Sequence, residues 1–312
     1  MAKIIGPGSL NVDITGFAPH LPVGGETTTG TTLRFSPGGK GSNQMTAAHR
    51  AGATVQLIGR RGADVLGNIL KEFYAAEGMS EQYVTAPAEE ETGSALIEID
   101  ERDAQNRIIV IPAANGRVDR AAVLAAEADF ADADAVLTQL ETTTEAVLAA
   151  KELAQKYGKP FILNPAPFKA LDPTVFNGVD FVTPNETEAE EFTGVKVETV
   201  EDCHRAAKVF FEMGVKNVII TLGVRGAFFT DGTRELLIPA IKMKAVETTG
   251  AGDAFNGGFA TAIGDGCDVE TALKFATCTS AISVTRLGAA QSMPKREEIL
   301  ALLQKEFGIT LA

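Results

Sequence analysis

The chain of 312 residues is long enough for one large α/β domain or two modest ones, and 45% of its residues are hydrophobic. Its 41 acidic and 28 basic residues give a net charge of −13, which argues against a general surface for nucleic acid or anionic membranes. The three cysteines have no paired spacing, and the sequence shows neither a leader-like start nor an apolar run of membrane-spanning length. We therefore expect a reduced, cytoplasmic protein with no nucleic-acid or membrane partner.

Short β-branched runs alternate with amphipathic runs from the start of the chain. The predicted strands comprise residues 3–6, 55–58, 135–140, 161–163, 181–183 and 218–222. The predicted helices comprise residues 44–51, 67–77, 144–157, 185–192, 200–213, 251–263, 269–285 and 296–307, and glycine follows some of them. This alternation predicts an α/β fold with a mostly parallel central sheet and helices on both of its faces.

Two segments interrupt the alternation of strands and helices. Residues 26–35 are rich in threonine and lack a helical period, whereas residues 93–100 and 107–112 flank a polar turn and predict a hairpin. Strands inserted in an α/β chain need a partner surface of their own. We expect them to form a small β-sheet lid, inserted at about residues 15–36 and 92–113, within a single domain spanning residues 1–312.

The stretch Gly250-Ala251-Gly252-Asp253 leaves the backbone almost bare where a helix is predicted to begin. The first amides of a helix have no intrahelical partner and lie at its positive end, so they form a site for an anion. An acid beside such a site is useful if it takes a proton from a hydroxyl that attacks a bound phosphoryl group. The same residues are also typical of a capping Asp after a glycine-rich turn.

The segment SPGGKGSNQ, at residues 36–44, precedes a predicted helix. It is not a P-loop, because Gly41 rather than Ser or Thr follows Lys40. Its glycines would let a polyhydroxylated substrate lie against the backbone, with Lys40 and Asn43 supplying hydrogen bonds. A flexible loop with an exposed lysine is the alternative interpretation.

Asn11 and Asp13 lie two residues apart on an extended segment and therefore point the same way. An amide beside a carboxylate suits a pair of sugar hydroxyls, and turn chemistry after the first strand is the alternative. The dinucleotide-binding fingerprint fails here, because it requires a glycine where Asn11 stands. The segment therefore disfavours a dehydrogenase.

Polar residues also follow several later strands. Asn185 and Glu188 share one face of a predicted helix and could hold Mg²⁺ through its waters. On these residues alone, helix capping by Asn185 with acids in the first turn is the favoured interpretation. The segments QLE at residues 139–141, NPAP at 164–167 and TLGVRG at 221–226 end three other strands. Open α/β sheets bind ligands at such strand ends.

The order of these motifs resembles that of the ribokinase (pfkB-type) carbohydrate kinase family over nearly the whole chain. The motifs that carry the resemblance are NVD at 11–13, GGKGSN at 38–43, QLE at 139–141, NPAP at 164–167, TPNETEAE at 183–190, TLGVRG at 221–226, TTGAGDAFNGG at 248–258 and VTRLGAAQS at 284–292. The resemblance implies a ribokinase-like fold and ATP-dependent phosphorylation of the 5-hydroxyl of D-ribose. By the same resemblance, the lid would close over the sugar and form a homodimer interface.

The resemblance also implies roles for individual residues. Asp253 would be the base, and the amides of Gly250, Ala251 and Gly252 would form the anion hole. The sugar would be held by Asn11, Asp13, Gly39, Lys40, Gly41, Asn43, Glu141 and Asp253. The nucleotide would be bound by Asn185, Thr221, Gly223, Gly226, Gly252 and Thr277.

The resemblance also implies that two cations, Mg²⁺ and K⁺, bind to the protein. Asn185 and Glu188 would belong to the network that holds Mg²⁺ and phosphate. K⁺ would act as an activator, but family members activated by K⁺ carry Asp where this chain has Glu247, which is longer by one methylene. The other expected K⁺ ligands are oxygens at or near Thr249, Ser283, Arg286, Gly288 and Ser292.

The sequence leaves three alternatives to a ribose kinase. The first is a sibling kinase acting on deoxyribose, fructose, another furanose or a nucleoside. The second is a catalytically silent sugar- or nucleotide-binding regulator on the same fold, which the intact GAGD motif argues against. The third is a dehydrogenase, which the failed dinucleotide fingerprint disfavours.

Overall fold

The structure is a computed structural model that describes residues 1–103 and 105–311. The strands within these ranges are β1 (Lys3–Pro7), β2 (Asn11–Ala18), β3 (Thr32–Gly38), β4 (Thr54–Arg60), β5 (Val84–Thr85), β6 (Gly93–Asp100), β7 (Asn106–Ile111), β8 (Ala135–Thr138), β9 (Phe161–Leu163), β10 (Phe181–Val182), β11 (Asn217–Thr221), β12 (Ala227–Thr230) and β13 (Glu235–Ile238). The helices are α1 (Lys40–Arg50), α2 (Val65–Glu77), α3 (Arg120–Leu124), α4 (Glu127–Asp132), α5 (Thr144–Lys156), α6 (Glu186–Thr193), α7 (Val200–Glu212), α8 (Ala251–Gly264), α9 (Val269–Ser283) and α10 (Arg296–Phe307).

The central sheet has the strand order β13-β12-β11-β10-β9-β8-β1-β4-β5. All of its pairings are parallel except those of β12 with β11 and with β13, which are antiparallel. The prediction of a mostly parallel sheet is therefore confirmed. The antiparallel pair at one edge was not predicted, because no α-helix lies between β11, β12 and β13 and the alternation of strands and helices stops there.

Hydrophobic side chains alternate between the two faces of this sheet. In β1, Ile4 belongs to the apolar core packed against α8 and α9, whereas Ile5 belongs to the core packed against α5 and α7. Successive residues of a strand point to opposite faces, so a strand covered on both faces reads as a continuous apolar run. The predicted arrangement, with helices on both faces, is confirmed.

A separate small sheet has the strand order β3-β2-β6-β7. Strands β2 and β6 pair in parallel, while β2–β3 and β6–β7 are antiparallel. The predicted hairpin at 93–100 and 107–112 is confirmed, with Leu96 opposite Ile109. The first strand begins at Asn11, earlier than the predicted limit near residue 15, and so Asn11 and Asp13 belong to this sheet.

Helix α1 begins at Lys40, four residues before the predicted start at residue 44. The prediction was wrong because glycine and serine are weak helix formers, which masked the first turn. Tertiary packing overrides this preference. A side chain on Gly41 would place its Cβ 2.3 Å from the backbone nitrogen of Ser9, so only glycine allows the helix to lie this close to the loop after β1.

The helix ends agree more closely with the sequence. Gly78 caps α2 in the left-handed conformation at φ 72°, and α10 has the predicted bounds. In the part of the chain that the structure describes, no helix combines the length and the apolar character needed to cross a membrane.

Candidate active site

Asp253 lies in the first turn of α8 and is 6% exposed. The helix follows Gly250, whose φ of 79° favours glycine. The side-chain amide of Asn43 donates to Oδ2 of Asp253 at 2.8 Å, and that of Gln44 donates to Oδ1 at 2.9 Å. Burial raises the pKa of Asp253, while the Lys40 ammonium and the two amide donors oppose that effect.

The backbone amides at the start of α8 face the predicted anion hole. The first intrahelical bond runs from the Ala254 N–H to the Gly250 carbonyl at 2.8 Å, so the amides of Gly252 and Asp253 precede the helical ladder. The Ala251 N–H approaches the Thr248 carbonyl at 3.2 Å. An anion at this site would therefore find donors at Gly252 and Asp253, whereas Ala251 shares its donor with Thr248. The Gly250 amide stays a predicted member of the anion hole.

Lys40 lies half-buried among three carboxylates. Burial opposes the charge of its ammonium, but the carboxylates of Asp253, Glu141 and Glu188 outweigh that effect and raise the pKa of Lys40. Glu141 accepts hydrogen bonds from the Ser9 hydroxyl at 2.5 Å and from the Lys40 backbone N–H at 2.9 Å. Glu141 thereby fixes the first residue of α1 as well as contributing charge.

The small sheet carries a second group of polar residues into the same region. Burial, followed by the charges of Glu141, Asp253 and Glu247, raises the pKa of Asp13 to about 7. Asn11 is 5% exposed, and its Oδ1 accepts a hydrogen bond from Nδ2 of Asn115 at 2.7 Å. Asn115, which lies in the 3₁₀ turn after β7, could not be predicted as a site residue because no motif surrounds it.

Glycines lie next to these polar side chains, at positions where a larger residue would clash or be strained. A Cβ on Gly38 would lie 2.5 Å from the Asp13 carboxylate, and Gly39 has a φ of 86°. The Gly41 N–H donates to the Ser9 hydroxyl at 3.1 Å. The structure therefore brings together all eight residues predicted to hold the sugar, with Gly41 serving chiefly to let α1 approach the loop that contains Ser9.

A cavity of about 570 Å³ lies beside this polar cluster. Its lining includes every residue predicted to bind the nucleotide: Asn185, Thr221, Gly223, Gly226, Gly252 and Thr277. Ile241, Phe255, Ala281 and Val284 make part of the wall apolar. The cavity reaches the start of α8 through Ala251 and Gly252, so a ligand in it would approach the amides beside Asp253.

The structure shows Asn185 and Glu188 in a helix-capping arrangement. Asn185 Oδ1 accepts from the Glu188 N–H at 2.8 Å, and Glu188 Oε2 accepts from the Asn185 N–H at 2.9 Å. Burial raises the pKa of Glu188, against the effects of the Asn185 amide and the Lys40 charge. Across residues 1–103 and 105–311, no group of three or more His, Cys, Asp or Glu side chains is arranged to hold a metal.

The predicted K⁺ residues lie around the segment after α9. Glu247 Oε2 accepts from the Gly288 N–H at 2.9 Å, so the longer carboxylate reaches this segment. The hydroxyls of Ser283 and Ser292 each donate to a nearby backbone carbonyl at 2.8 Å. The Arg286 guanidinium pairs with Glu298 and carries no oxygen, so only the backbone carbonyl of Arg286 could serve as a ligand atom. Thr249 is exposed and has both a hydroxyl and a backbone carbonyl to offer.

Comparison with known proteins places this geometry in a family. Residues 1–296 match the model of the pfkB family of carbohydrate kinases. A ribokinase of Haemophilus influenzae is 38% identical over 95% of this chain and 97% of its own length. A deoxyribokinase of Salmonella typhi is 34% identical over 93% of this chain and 95% of its own length. The solved structure of an Arabidopsis thaliana ribokinase with ribose and ATP superposes with a TM-score of 0.92 at 30% identity, covering 97% of this chain and 99% of that one.

The chain belongs to the pfkB family of carbohydrate kinases. This result confirms the family and the ribokinase-like fold that the order of the sequence motifs predicted. It also removes the dehydrogenase alternative, since the matched family transfers phosphoryl groups rather than hydride.

Proposed function

We propose that this kinase transfers the γ-phosphoryl group of Mg-ATP to the 5-hydroxyl of D-ribose, giving D-ribose 5-phosphate. The observation that carries the proposal is the buried carboxylate of Asp253 at the start of α8, between the sugar-type polar cluster and the 570 Å³ cavity. The relatives named ribokinase, and the Arabidopsis thaliana structure with ribose and ATP, support this substrate pair.

In this proposal Asp253 takes the proton from the sugar hydroxyl as that oxygen attacks phosphorus and the bond to ADP breaks. The amides of Gly250, Gly252 and Asp253, with a share from Ala251, stabilise charge on the transferred group. Lys40 lies close enough to Asp253 for its ammonium to favour the ionised base. Because burial raises the pKa of Asp253, we expect kcat to fall as the pH drops through that raised value.

We propose that Mg²⁺ enters with ATP and is held through its waters by Asn185 and Glu188. Both side chains carry the hard oxygens that this ion prefers, and Asn185 lines the nucleotide cavity. The capping arrangement fits this role, because it holds the two side chains side by side. Bound Mg²⁺ would neutralise phosphate charge.

A coupled assay of ADP release tests the function. The panel contains D-ribose, 2-deoxy-D-ribose, D-fructose and a nucleoside, and the deoxyribokinase relative makes 2-deoxy-D-ribose the second candidate substrate. Ribose-dependent ADP release is expected, and no such release would refute the proposal. Binding of ribose in calorimetry without turnover would indicate a silent regulator instead. Asp253→Asn should lower kcat by about 10³-fold or more, and near-wild-type turnover would remove Asp253 as the base.

We propose K⁺ as an activator bound near Glu247, because its carboxylate reaches the Gly288 amide despite the longer side chain. Glu247→Gln keeps a hydrogen-bond acceptor but removes the charge. We expect this variant to need more K⁺ for half-maximal activity while the KM for sugar stays close to that of the wild type. Activity that is independent of K⁺ in the wild type would refute the proposal.

We propose a homodimer formed through the small sheet, in the cytoplasm, where the three free cysteines would stay reduced. The strand register aligns Phe35, Ile14, Leu96 and Ile109 in one apolar row across all four strands. Ile109 is 64% exposed on the edge strand β7, and exposed apolar rows of this kind mark interaction sites. Ile109→Glu should produce a monomer in sedimentation velocity, and a wild-type protein that sediments as a monomer would refute the proposal.

A further inference from the structure

Gln44 lies in α1 next to Asn43 and is fully buried. Its Nε2 lies 2.9 Å from Oδ1 of Asp253 and 2.9 Å from Oδ1 of Asn164. Its Oε1 lies 2.6 Å from Nε2 of Gln139. One side chain thus joins the Asp253 carboxylate to polar residues that follow two strands of the central sheet.

A backbone carbonyl at one end of this chain of hydrogen bonds determines which group donates and which accepts in each of them. The last acceptor is the backbone carbonyl of Thr183, which Nδ2 of Asn164 reaches at 2.9 Å. A carbonyl only accepts, so Asn164 must present its oxygen to Gln44, and Gln44 must present its nitrogen. The second hydrogen of that nitrogen then points at Asp253, which can only accept it.

Nδ2 of Asn43 donates to the other oxygen of the Asp253 carboxylate, Oδ2, at 2.8 Å. Each oxygen of Asp253 therefore receives one donor from α1. A proton taken from a substrate has to bind on the lone pairs that these two donors leave free. Both donors stabilise the ionised carboxylate, against the burial of the same group.

We infer that Gln44 is a positioning residue, which holds the Asp253 carboxylate as a proton acceptor in one fixed orientation. The inference rests on the proposed role of Asp253 as the base. Gln44 itself contacts neither the nucleotide cavity nor, in the proposed reaction, the reacting atoms. Its effect on catalysis passes through the protonation and the rotation of one carboxylate.

The direct test measures the titration of Asp253 without any substrate. Protein labelled with ¹³C at the aspartate carboxyl carbons is titrated by NMR, and the resonance that disappears in Asp253→Asn belongs to Asp253. In Gln44→Met, which keeps the length of the side chain but has no donor, Asp253 should titrate at higher pH than in the wild type. An identical titration in the two proteins would overturn the inference.

The kinetic test uses the same variants. Gln44→Met should lower kcat by about ten- to a hundredfold, as for one lost hydrogen bond to a charged group, with the KM for ATP unchanged. The acid limb of its pH profile should move to higher pH. Gln56→Met is the matched control, because Gln56 is a β4 residue whose Oε1 has no partner in the described part of the chain. It should behave as wild type, and equal losses in the two variants would overturn the inference.

Gln44→Glu covers the case in which Gln44→Met does not fold. It keeps the shape and the acceptor for Gln139 but places a second acid beside Asp253, so Asp253 should again titrate at higher pH. An unchanged titration in this variant would overturn the inference as well. A wild type that releases no ADP with any sugar would refute the proposed function, while the NMR titration would still decide the role of Gln44.

Discussion

The close crossing of α1 and α8 makes a prediction about a glycine that touches no substrate. Gly257 lies in α8, one turn after Asp253, and faces α1. A Cβ at this position would lie 2.4 Å from the Gln44 carbonyl oxygen and 2.5 Å from the Ala47 Cβ. Ordinary contacts begin at 3.4 Å, so Gly257→Ala should separate the two helices by about 1 Å.

That displacement is large enough to affect the base. The bonds from Asn43 and Gln44 to Asp253 measure 2.8 and 2.9 Å, and lengthening by about 1 Å takes both beyond hydrogen-bonding distance. We expect kcat to fall by about ten- to a hundredfold. Crowding should also lower the free energy of unfolding by about 2 kcal/mol, although alanine is the better helix former.

The assay compares Gly257→Ala with Gly264→Ala, seven residues further along the same helix. A Cβ on Gly264 would lie 2.8 Å from the Ala2 Cβ and 3.1 Å from Cδ1 of Ile4, away from α1. Both variants should melt lower in calorimetry, by about 3 °C for a loss of about 2 kcal/mol. Only Gly257→Ala should lose kcat. Equal kcat in the two variants, at equal loss of stability, would refute the link between helix spacing and Asp253.

Three further predictions concern buried charges. The folded state raises the pKa of Asp13 from 3.8 to about 7, so the contribution of this group to stability falls as the pH rises through that window. The melting temperature of Asp13→Asn should therefore rise relative to that of the wild type between pH 4 and 7. A difference in melting temperature that stays constant over this range would contradict the prediction. Lys40→Met should move the acid limb of the kcat profile to higher pH, and an unmoved limb would exclude its effect on Asp253. Lys151→Met should cost about 3 kcal/mol in urea unfolding at unchanged kcat, since three backbone carbonyls lose their donor, and unchanged stability would contradict this.

Most of the fold could be predicted because its signals are local. Buried β-branched runs mark the parallel strands, and a glycine in the left-handed conformation ends α2 at Gly78 and α6 at Gly194. The antiparallel strands β12 and β13 were missed because no helix lies between them, which breaks the alternation of strands and helices on which the prediction rested. The short helices α3 and α4 were missed because five or six residues show too little of a helical period. The start of α1 was missed because its stability comes from packing on the loop that contains Ser9.

The candidate site also contains residues that local motifs predict and residues that only the tertiary structure reveals. Asp253, Lys40 and Asn43 could be proposed from glycine-rich segments, whose composition already suggests close approach of a ligand. Gln44 gave no signal, because an isolated glutamine in a helix is ordinary. Its meaning depends on a partner 209 positions away in the sequence, brought close only by the crossing of α1 and α8. For Asn185 and Glu188 the structure shows the capping alternative, and their Mg²⁺ role stays a prediction.

A single residue, Gly39, separates Gly38, the last residue of β3 in the small sheet, from Lys40, the first residue of α1. Because only this one residue joins the two elements, we expect a tilt of the small sheet to turn the Lys40 peptide, whose N–H donates to Glu141. Sugar binding and the tilt of the small sheet would then be thermodynamically coupled. A tilt that changes the affinity for sugar by some factor would itself be favoured or disfavoured by bound sugar by the same factor. A binder raised against the outer face of the small sheet would therefore be an allosteric effector of sugar affinity, with a sign set by the tilt that it favours.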